Sequence, residues 1–217
     1  KVQESLGRRS PAALERKDGA DGLYEALRSI PGHPLSILSL ENEALGSHLE
    51  KVRKAMETGD NLMEELAALR RISFHYNKKN VLYPILKMNY GFSGPSDVMW
   101  SVDDEIRDTL KNLEKRGLAS PAVRETPQWQ ERLSSALTRA EEMIYKEKNI
   151  LFPLCAKNFK EEEWKSIARD FAHMEPCLID PQPRWQEAFP QEKEESSLSD
   201  GIIHLPTGQL TVKELTA

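Results

Sequence analysis

Residues 62–86 read LMEELAALRRISFHYNKKNVLYPIL, and this stretch decides how the chain folds. Its apolar residues recur every three or four positions, at Leu62, Leu66, Leu69, Ile72, Leu82 and Leu86. This period predicts an amphipathic helix whose apolar face packs on a core. His75 and Lys79 fall in the same phase, so both are expected to face the interior. Pro84, close to the end, is expected to kink or loosen the last turn.

Three further stretches, at residues 35–56, about 97–116 and about 128–152, have the same period. In the second of them, we expect Val98 on the apolar face and Asp103 on its flank. Four amphipathic helices of this length predict an all-α fold, an up-down-up-down four-helix bundle. A fifth, shorter helix is expected to pack across one end.

The composition changes along the chain divide it into four parts. Residues 1–30 are polar and predict a linker or the end of an upstream domain, in which DGLYEALRSI (21–30) is compatible with one short helix, and residues 31–174 are expected to form the bundle. Residues 175–200 are rich in Pro, Glu and Ser, which is typical of a flexible linker. Residues 201–217 have a strand-turn pattern, with the bend at Thr207 and Gly208.

Charge and composition exclude several classes of function. The net charge of the 217 residues is −5, and acids and bases alternate along every predicted helix, so no basic face for nucleic acid exists. No apolar run approaches the roughly 18 residues of a membrane span. Cys155 and Cys177 have no metal or redox spacing, which indicates reduced thiols of a cytoplasmic protein. No nucleophile–base pair or phosphate loop indicates an enzyme.

Five polar residues interrupt the apolar faces of the predicted helices: Asn42, His75, Lys79, Asp103 and Glu147. A buried carboxylate without a partner costs several kcal/mol, so an inward Asp or Glu needs a cation, which can be a metal, a lysine or an arginine. Helical bundles build metal sites from ligands on several helices. Nitrogen and carboxylate ligands suit iron, manganese or zinc.

Each polar residue also has a plainer interpretation. His75 can be a hydrogen-bonded core histidine. Asp103 can pair with Arg107 four residues later. Glu147 can pair with Lys79 across the core. Asn42 (a weak ligand for iron) can set the register of the helices.

Five segments carry a further signal: PGHPLSILSLENEAL (31–45), HYNKKNVLYPIL (75–86), GPSDVMWSVDDEIRDTLK (94–111), EEMIYKEKNILFP (141–153) and EEEWKSIARDF (161–171). Together they resemble a hemerythrin-like (HHE cation-binding) domain over about residues 30–180. The likeness is closest to a bacterial subfamily in which this domain follows a conserved N-terminal domain of unknown function and precedes a PAS sensor domain. IHLPTGQLTVKEL (203–215) resembles the segment before that PAS domain. The resemblance thus implies a longer signalling protein.

In hemerythrins, the interior of the bundle holds a non-haem di-iron centre with His and carboxylate ligands that binds oxygen or senses redox state. The resemblance places the ligand positions of that family at or near Asn42, His75, Lys79, Met99, Asp103, Met143 and Glu147. Of these, only His75, Asp103 and Glu147 are convincing ligand types. Lys79 stands where the family has the Glu of His-x-x-x-Glu, and its ammonium would repel a divalent ion.

These observations leave three hypotheses. The first is a metal-, oxygen- or redox-sensing module with iron (mono- or dinuclear) or another divalent transition metal. Its ligands would be His75, Asp103 and Glu147, with help from His33 or Glu41.

The second hypothesis is a metal-free structural or dimerisation bundle, compatible with a homodimer, in which Lys79 pairs with Glu147. The third is a haem-binding bundle in which His75 and either Met99 or Met143 are axial ligands. Both methionines are most simply core residues. In every case Asn42 lines the site.

Overall fold

The computed structural model describes residues 22–189 and the two segments 202–205 and 208–211. For residues 95–96 and for the two later segments it describes the backbone alone. Predictions that fall on residues 1–21, 190–201, 206–207 and 212–217 lie outside the described residues.

The first helix, α1, covers residues 22–28. Tyr24 of this helix is buried in the core, and its hydroxyl lies 2.9 Å from Ser39 Oγ. The ordered bundle therefore begins before residue 31, within the part of the chain whose polar composition predicts a linker.

The first long helix, α2, covers Pro34–Thr58. Pro34 suits the first helical turn, where a missing N–H removes no helical hydrogen bond. His33 is the N-cap, and its Nδ1 accepts a hydrogen bond of 3.1 Å from the Leu35 amide. Gly59 ends the helix with a φ of 78°, a conformation that glycine adopts without strain.

The second predicted helix is divided into three: α3 (Leu62–Leu69), α4 (Ile72–Lys79) and α5 (Leu82–Tyr90). The breaks fall at residues 70–71 and 80–81. At the second break, the Val81 amide bonds to the Lys78 carbonyl, three residues earlier, as in a tighter helix. Pro84 accounts for this break, since it has no N–H for the carbonyl four residues before it.

The next elements are α6 (Gly94–Ala119), α7 (Pro121–Arg124), α8 (Pro127–Lys146), a π-helix (Glu147–Leu151) and α9 (Phe152–Asn158). Pro153 lies in the first turn of α9. It cannot donate to the carbonyl four residues earlier, and the wider π turn lies at that place. The two similar Pro segments, 78–86 and 146–155, thus both interrupt their helices.

The buried face of α6 differs from the predicted one. Val98 is 65% exposed, whereas Met99 and Asp103 are buried. The buried stripe consists of Met99, Asp103, Ile106, Leu110 and Leu113. Val98, Val102, Ile106 and Leu110 recur four apart, so the apolar pattern favoured Val98, whereas the observed stripe continues from Ile106 toward the N-terminus through Asp103 and Met99. The observed phase turns Asp103 toward a lysine on α4.

The last elements are α10 (Glu161–Phe171), a 3-10 turn (Gln186–Ala188), and the strands β1 (Ile202–Leu205) and β2 (Gly208–Thr211). The strands pair antiparallel, with Ile202 opposite Thr211 and Leu205 opposite Gly208. The two strands agree with the predicted pattern, with Gly208 as the first residue of β2, while Thr207 of the predicted bend lies outside the described residues.

The long helices enclose one core. α2 packs against α3 and α8, and α6 packs against the same two helices. Fully buried leucines from all four stretches fill the space between them: Leu38, Leu49, Leu66, Leu110 and Leu137. An all-α bundle is therefore confirmed, while the alternating order of helix directions stays a prediction. No helix in the described part of the chain has the length and hydropathy to span a membrane.

Residues 175–189 pack against the bundle, although their composition predicts a flexible linker. Cys177, Trp185 and Ala188 within this segment are buried. Its prolines restrict the conformations of the free segment, so ordering it costs less entropy. Packing of these apolar side chains holds the segment together with polar contacts at residues 175–177.

Candidate functional site

Six charged side chains meet in the interior of the bundle, and none is more than 2% exposed: Glu41, His75, Lys78, Lys79, Asp103 and Glu147. We refer to them as the ion cluster. α2 contributes the first, α4 the next three, α6 the fifth and the start of the π-helix the last. The cluster therefore joins every long stretch of the bundle.

His75 lies between two carboxylates. Its Nδ1 is 2.9 Å from Glu41 Oε2, and its Nε2 is 2.9 Å from Glu147 Oε2. Burial alone would lower the pKa of this imidazole, but Glu147 and Glu41 outweigh burial and raise the pKa to about 9. His75 is therefore an imidazolium at neutral pH and donates a hydrogen bond from each ring nitrogen.

Lys79 lies between Asp103 and Glu147, and it shares the second of these carboxylates with His75. Its Nζ donates to Asp103 Oδ1 at 2.8 Å and also to Glu147 Oε1. The same ammonium lies 4.4 Å from the centre of the Tyr76 ring, at the distance of a cation–π contact. On the far side of Asp103, the Tyr83 hydroxyl donates to Oδ2 at 3.3 Å.

Glu41 and Lys78 form the third part of the cluster. Lys78 Nζ donates to Glu41 Oε1 at 2.8 Å and to the Glu175 carbonyl. The Cys177 amide donates to the same Glu41 oxygen at 2.9 Å. Glu41 thus accepts hydrogen bonds from His75, from a lysine and from the backbone.

The pKa values of the carboxylic acids show how the cluster is charged. Burial would raise the pKa of Glu147, yet Lys79 and His75 lower it to about 2. The pKa of Glu41 is likewise lowered, against burial, by His75 and Lys78. Burial raises the pKa of Asp103 to about 6, although Lys79 opposes the shift. At neutral pH, three carboxylates therefore face three cations.

The structure brings most of the predicted site residues together. His75, Asp103 and Glu147 belong to the ion cluster, as does Glu41. The predicted pair of Lys79 and Glu147 is present.

Asn42 lies beside the cluster, where its Nδ2 donates to Glu147 Oε2 at 2.8 Å. Asp103 does not pair with Arg107, as the sequence suggested. Arg107 instead contacts Asp104 and Asn77.

Three predicted residues have other surroundings. Met99 and Met143 are buried within the hydrophobic core. His33 lies between two tryptophan rings, with ring centroids 4.9 Å from Trp164 and 4.8 Å from Trp185. Burial among these rings lowers the pKa of His33 to about 4, so this histidine is neutral. It contributes a helix cap, not a charge.

Sequence reasoning missed Lys78, Tyr83 and the backbone of residues 175–177. A signal existed for Lys78, which lies three residues after His75 and four before Leu82 and therefore falls on the buried stripe. Tyr83 follows Lys79 by one helical turn. Nothing in the sequence indicates that the backbone after α10 reaches Glu41.

The comparison with protein families identifies this bundle. The sequence model of the Hemerythrin HHE cation binding domain matches residues 33–155. The chain belongs to the hemerythrin family. No curated protein matches the chain. The matched range contains every charged residue of the ion cluster.

The cluster of this hemerythrin domain does not fit a divalent metal ion. Metal-bound histidine must offer an unprotonated nitrogen, and both nitrogens of His75 carry protons for carboxylates. Lys79 already neutralises Asp103 and Glu147. Asn42 Oδ1 is a buried acceptor without a partner among the described residues, but a single amide oxygen is a weak ligand.

Two further observations argue against metal or haem ligation by these residues. Within residues 22–189, no three His, Cys, Asp or Glu side chains are arranged as a metal-binding group. The haem hypothesis needs a free nitrogen on His75, and both are engaged. The effect of this arrangement is to connect the helices through buried ion pairs. Four helical stretches are joined by ion pairs in a medium of low polarity, where such pairs are strong when all partners are present.

Proposed function

We propose that this hemerythrin domain acts without a metal, as a regulatory module of a cytoplasmic signalling protein whose PAS domain follows in the same polypeptide. In this proposal the ammonium of Lys79 takes the place of the metal cation. The domain has no catalytic role and no nucleic-acid or membrane partner.

The position of Lys79 carries the proposal. Its ammonium lies within hydrogen-bond distance of two carboxylates that would otherwise be metal ligands. A divalent ion about 4 Å from this ammonium would be repelled by several kcal/mol, even at an effective dielectric constant of about 20. The cluster is neutral as it stands, so binding a metal would require displacing a lysine or releasing protons.

The signalling role is supported by the chain around the bundle. The resemblance of residues 203–215 to the segment before a PAS domain supports this partner, and the paired strands β1 and β2 overlap those residues. A buried, fully paired ion cluster fixes one arrangement of the helices, and loss of a single partner favours another. Such an element suits a module that switches between two states.

A second candidate function is the metal or oxygen sensor. One observation favours it: His75, Asp103 and Glu147 lie in a single cluster, next to the unpartnered oxygen of Asn42. An iron ion there would require Lys79 to leave its two carboxylates.

Elemental analysis of protein purified without chelators separates the two candidates. We expect far less than one equivalent of iron, zinc or manganese per chain, and a melting temperature that EDTA does not change, because a bound metal would stabilise the folded state. One equivalent of any of these metals, lost together with stability in EDTA, would refute the metal-free proposal and support the sensor.

A further inference from the structure

The segment that follows α10 is tied directly to the ion cluster. We name residues 175–189 the C-terminal strap. At its start, Lys78 donates to the Glu175 carbonyl, and the Cys177 amide donates to Glu41 at 2.9 Å. Arg71 Nη2 adds a bond of 3.0 Å to the Pro176 carbonyl. The first three residues of the strap are therefore held largely by charged groups of the bundle.

The far end of the strap is held by packing. Trp185 lies edge-on to His33, with ring centroids 4.8 Å apart. Gly32 has a φ of 78°, and a Cβ at this position would lie 2.3 Å from the Pro183 carbonyl oxygen. Only glycine lets the strap come this close. Arg169 Nε donates to the Ala188 carbonyl at 3.3 Å.

Between its two ends the strap covers a cavity of about 140 Å³. The walls of this cavity include Ile37 and Lys78 from the bundle, Phe171 from α10, and Ile179 and Trp185 from the strap. Asp180, Pro181 and Pro183 in the middle of the strap are exposed, which is typical of a segment that opens at low free-energy cost.

We infer that Glu41 and Lys78 latch the strap to the ion cluster, so that a change of charge inside the cluster loosens the strap and reaches the chain beyond residue 189. This inference rests on the proposed function, in which the domain is a regulatory module. The coupling runs through contacts in the order Asp103, Lys79, Glu147, His75 and Glu41.

The physical reason is that Glu147 and Glu41 each share one negative charge among several donors, which bind at their two oxygens. When Asp103 loses its charge, Lys79 depends more on Glu147, and Glu147 then holds His75 less firmly. The imidazolium of His75 then interacts more strongly with Glu41, which also accepts hydrogen bonds from Lys78 and the Cys177 amide. The bonds to the strap weaken as a result. Such a coupling is reciprocal, so opening the strap must also alter the cluster.

Hydrogen exchange of the full chain tests the coupling, with mass spectrometry of peptides from the strap and from α8. The decisive variant is Asp103→Asn, since Asp103 contacts Lys79 and Tyr83 but not the strap. We expect exchange at residues 175–189 to become about tenfold faster relative to α8. Arg53→Gln is the matched control, because it removes an α2–α8 ion pair with Glu141 outside the cluster.

The outcome is read directly. Strap exchange that is unchanged relative to α8 in Asp103→Asn, or equally fast in Arg53→Gln, overturns the inference. Should Asp103→Asn fail to fold, Lys78→Met is measured in its place, with the same expected acceleration and the same control. Metal analysis of these samples keeps the two proposals apart. Bound metal contradicts the proposed function, whereas unchanged strap exchange in metal-free protein contradicts only the latch.

Discussion

Two histidines of this bundle are equally buried and have opposite charge states. His75 and His33 are both 0% exposed. Carboxylates on both sides raise the pKa of His75 to about 9, whereas burial between tryptophan rings lowers the pKa of His33 to about 4. Burial alone therefore does not decide the charge of a histidine, and the neighbouring groups do.

The same difference explains why the domain does not present a metal site. Ligation needs a neutral imidazole together with carboxylates. In this bundle the neutral imidazole of His33 lies among aromatic rings, and the imidazole beside the carboxylates is protonated. The two requirements of a metal site are met in different places.

The largest expected effect comes from removing the ammonium of Lys79, which shares the Glu147 carboxylate with His75. Lys79→Met leaves Asp103 and Glu147 without their shared ammonium, and an uncompensated buried charge costs about 3–5 kcal/mol of unfolding free energy. Urea denaturation measures this loss. The control Lys87→Met removes an exposed ion pair with Asp97 and should leave the midpoint unchanged. Equal midpoints for the two variants would show that Lys79 does not hold the cluster.

Alkaline pH should remove the contribution of His75. Its pKa is about 9 when folded and about 6.5 when unfolded, so its contribution is complete below pH 6.5 and is lost as the pH rises through 9. The unfolding free energy should fall by on the order of 3 kcal/mol across this range. Urea titrations at several pH values provide the measurement. The slope should disappear in His75→Gln, and a flat profile in the unaltered protein would mean that His75 is not charged.

Lys79→Glu should convert the ion cluster into a site that binds a divalent metal ion. It restores His-x-x-x-Glu and leaves four carboxylates facing two cations, so the excess negative charge attracts a divalent ion, which can displace the proton of His75. At a metal concentration of 100 times Kd, we expect stabilisation of about 2.7 kcal/mol. Melting temperatures with zinc, manganese or iron(II) test this, with Lys79→Gln as the control that gains no carboxylate. Failure of Lys79→Glu to bind any of the three would contradict our account of Lys79.

The smallest expected effect on stability comes from His33 and appears at acidic pH. Its folded pKa of about 4 lies below the unfolded value, so the unfolded state takes up the proton first and stability falls as the pH decreases from 6.5. His33→Asn retains a helix cap and removes the titration. As the pH falls from 6.5 to 5.5, the unfolding free energy of the variant should rise by about 1 kcal/mol relative to that of the unaltered protein. If the difference in unfolding free energy between the two proteins stays constant over this pH range, the pKa of His33 must be near its ordinary value.

The sequence predicted most of the fold because apolar periodicity reports burial directly. It located the long helices, and it indicated that His75, Asp103 and Glu147 face one interior. It chose the wrong face at Val98, because the apolar period of Val98, Val102 and Ile106 outweighed a buried position that is occupied by the charged Asp103. The backbone contact of Cys177 to Glu41 depends on how the strap folds back, and no local pattern encodes that.

Charge state was the other feature beyond sequence reasoning. The sequence contains both histidines and all the acids and lysines, but the pKa of each depends on distances of about 3 Å that only the folded chain sets. For this reason the sequence alone does not separate the metal hypothesis from the lysine hypothesis. The contacts of Lys79 favour the lysine hypothesis.

A nitrogen NMR spectrum of the His75 ring at pH 7 tests the central claim most directly, with His75→Gln used to assign the signals. Because Glu41 and Glu147 each accept a hydrogen bond from this ring, both ring nitrogens should carry a proton. A ring nitrogen without a proton, whether free or coordinated to a metal, would contradict the account.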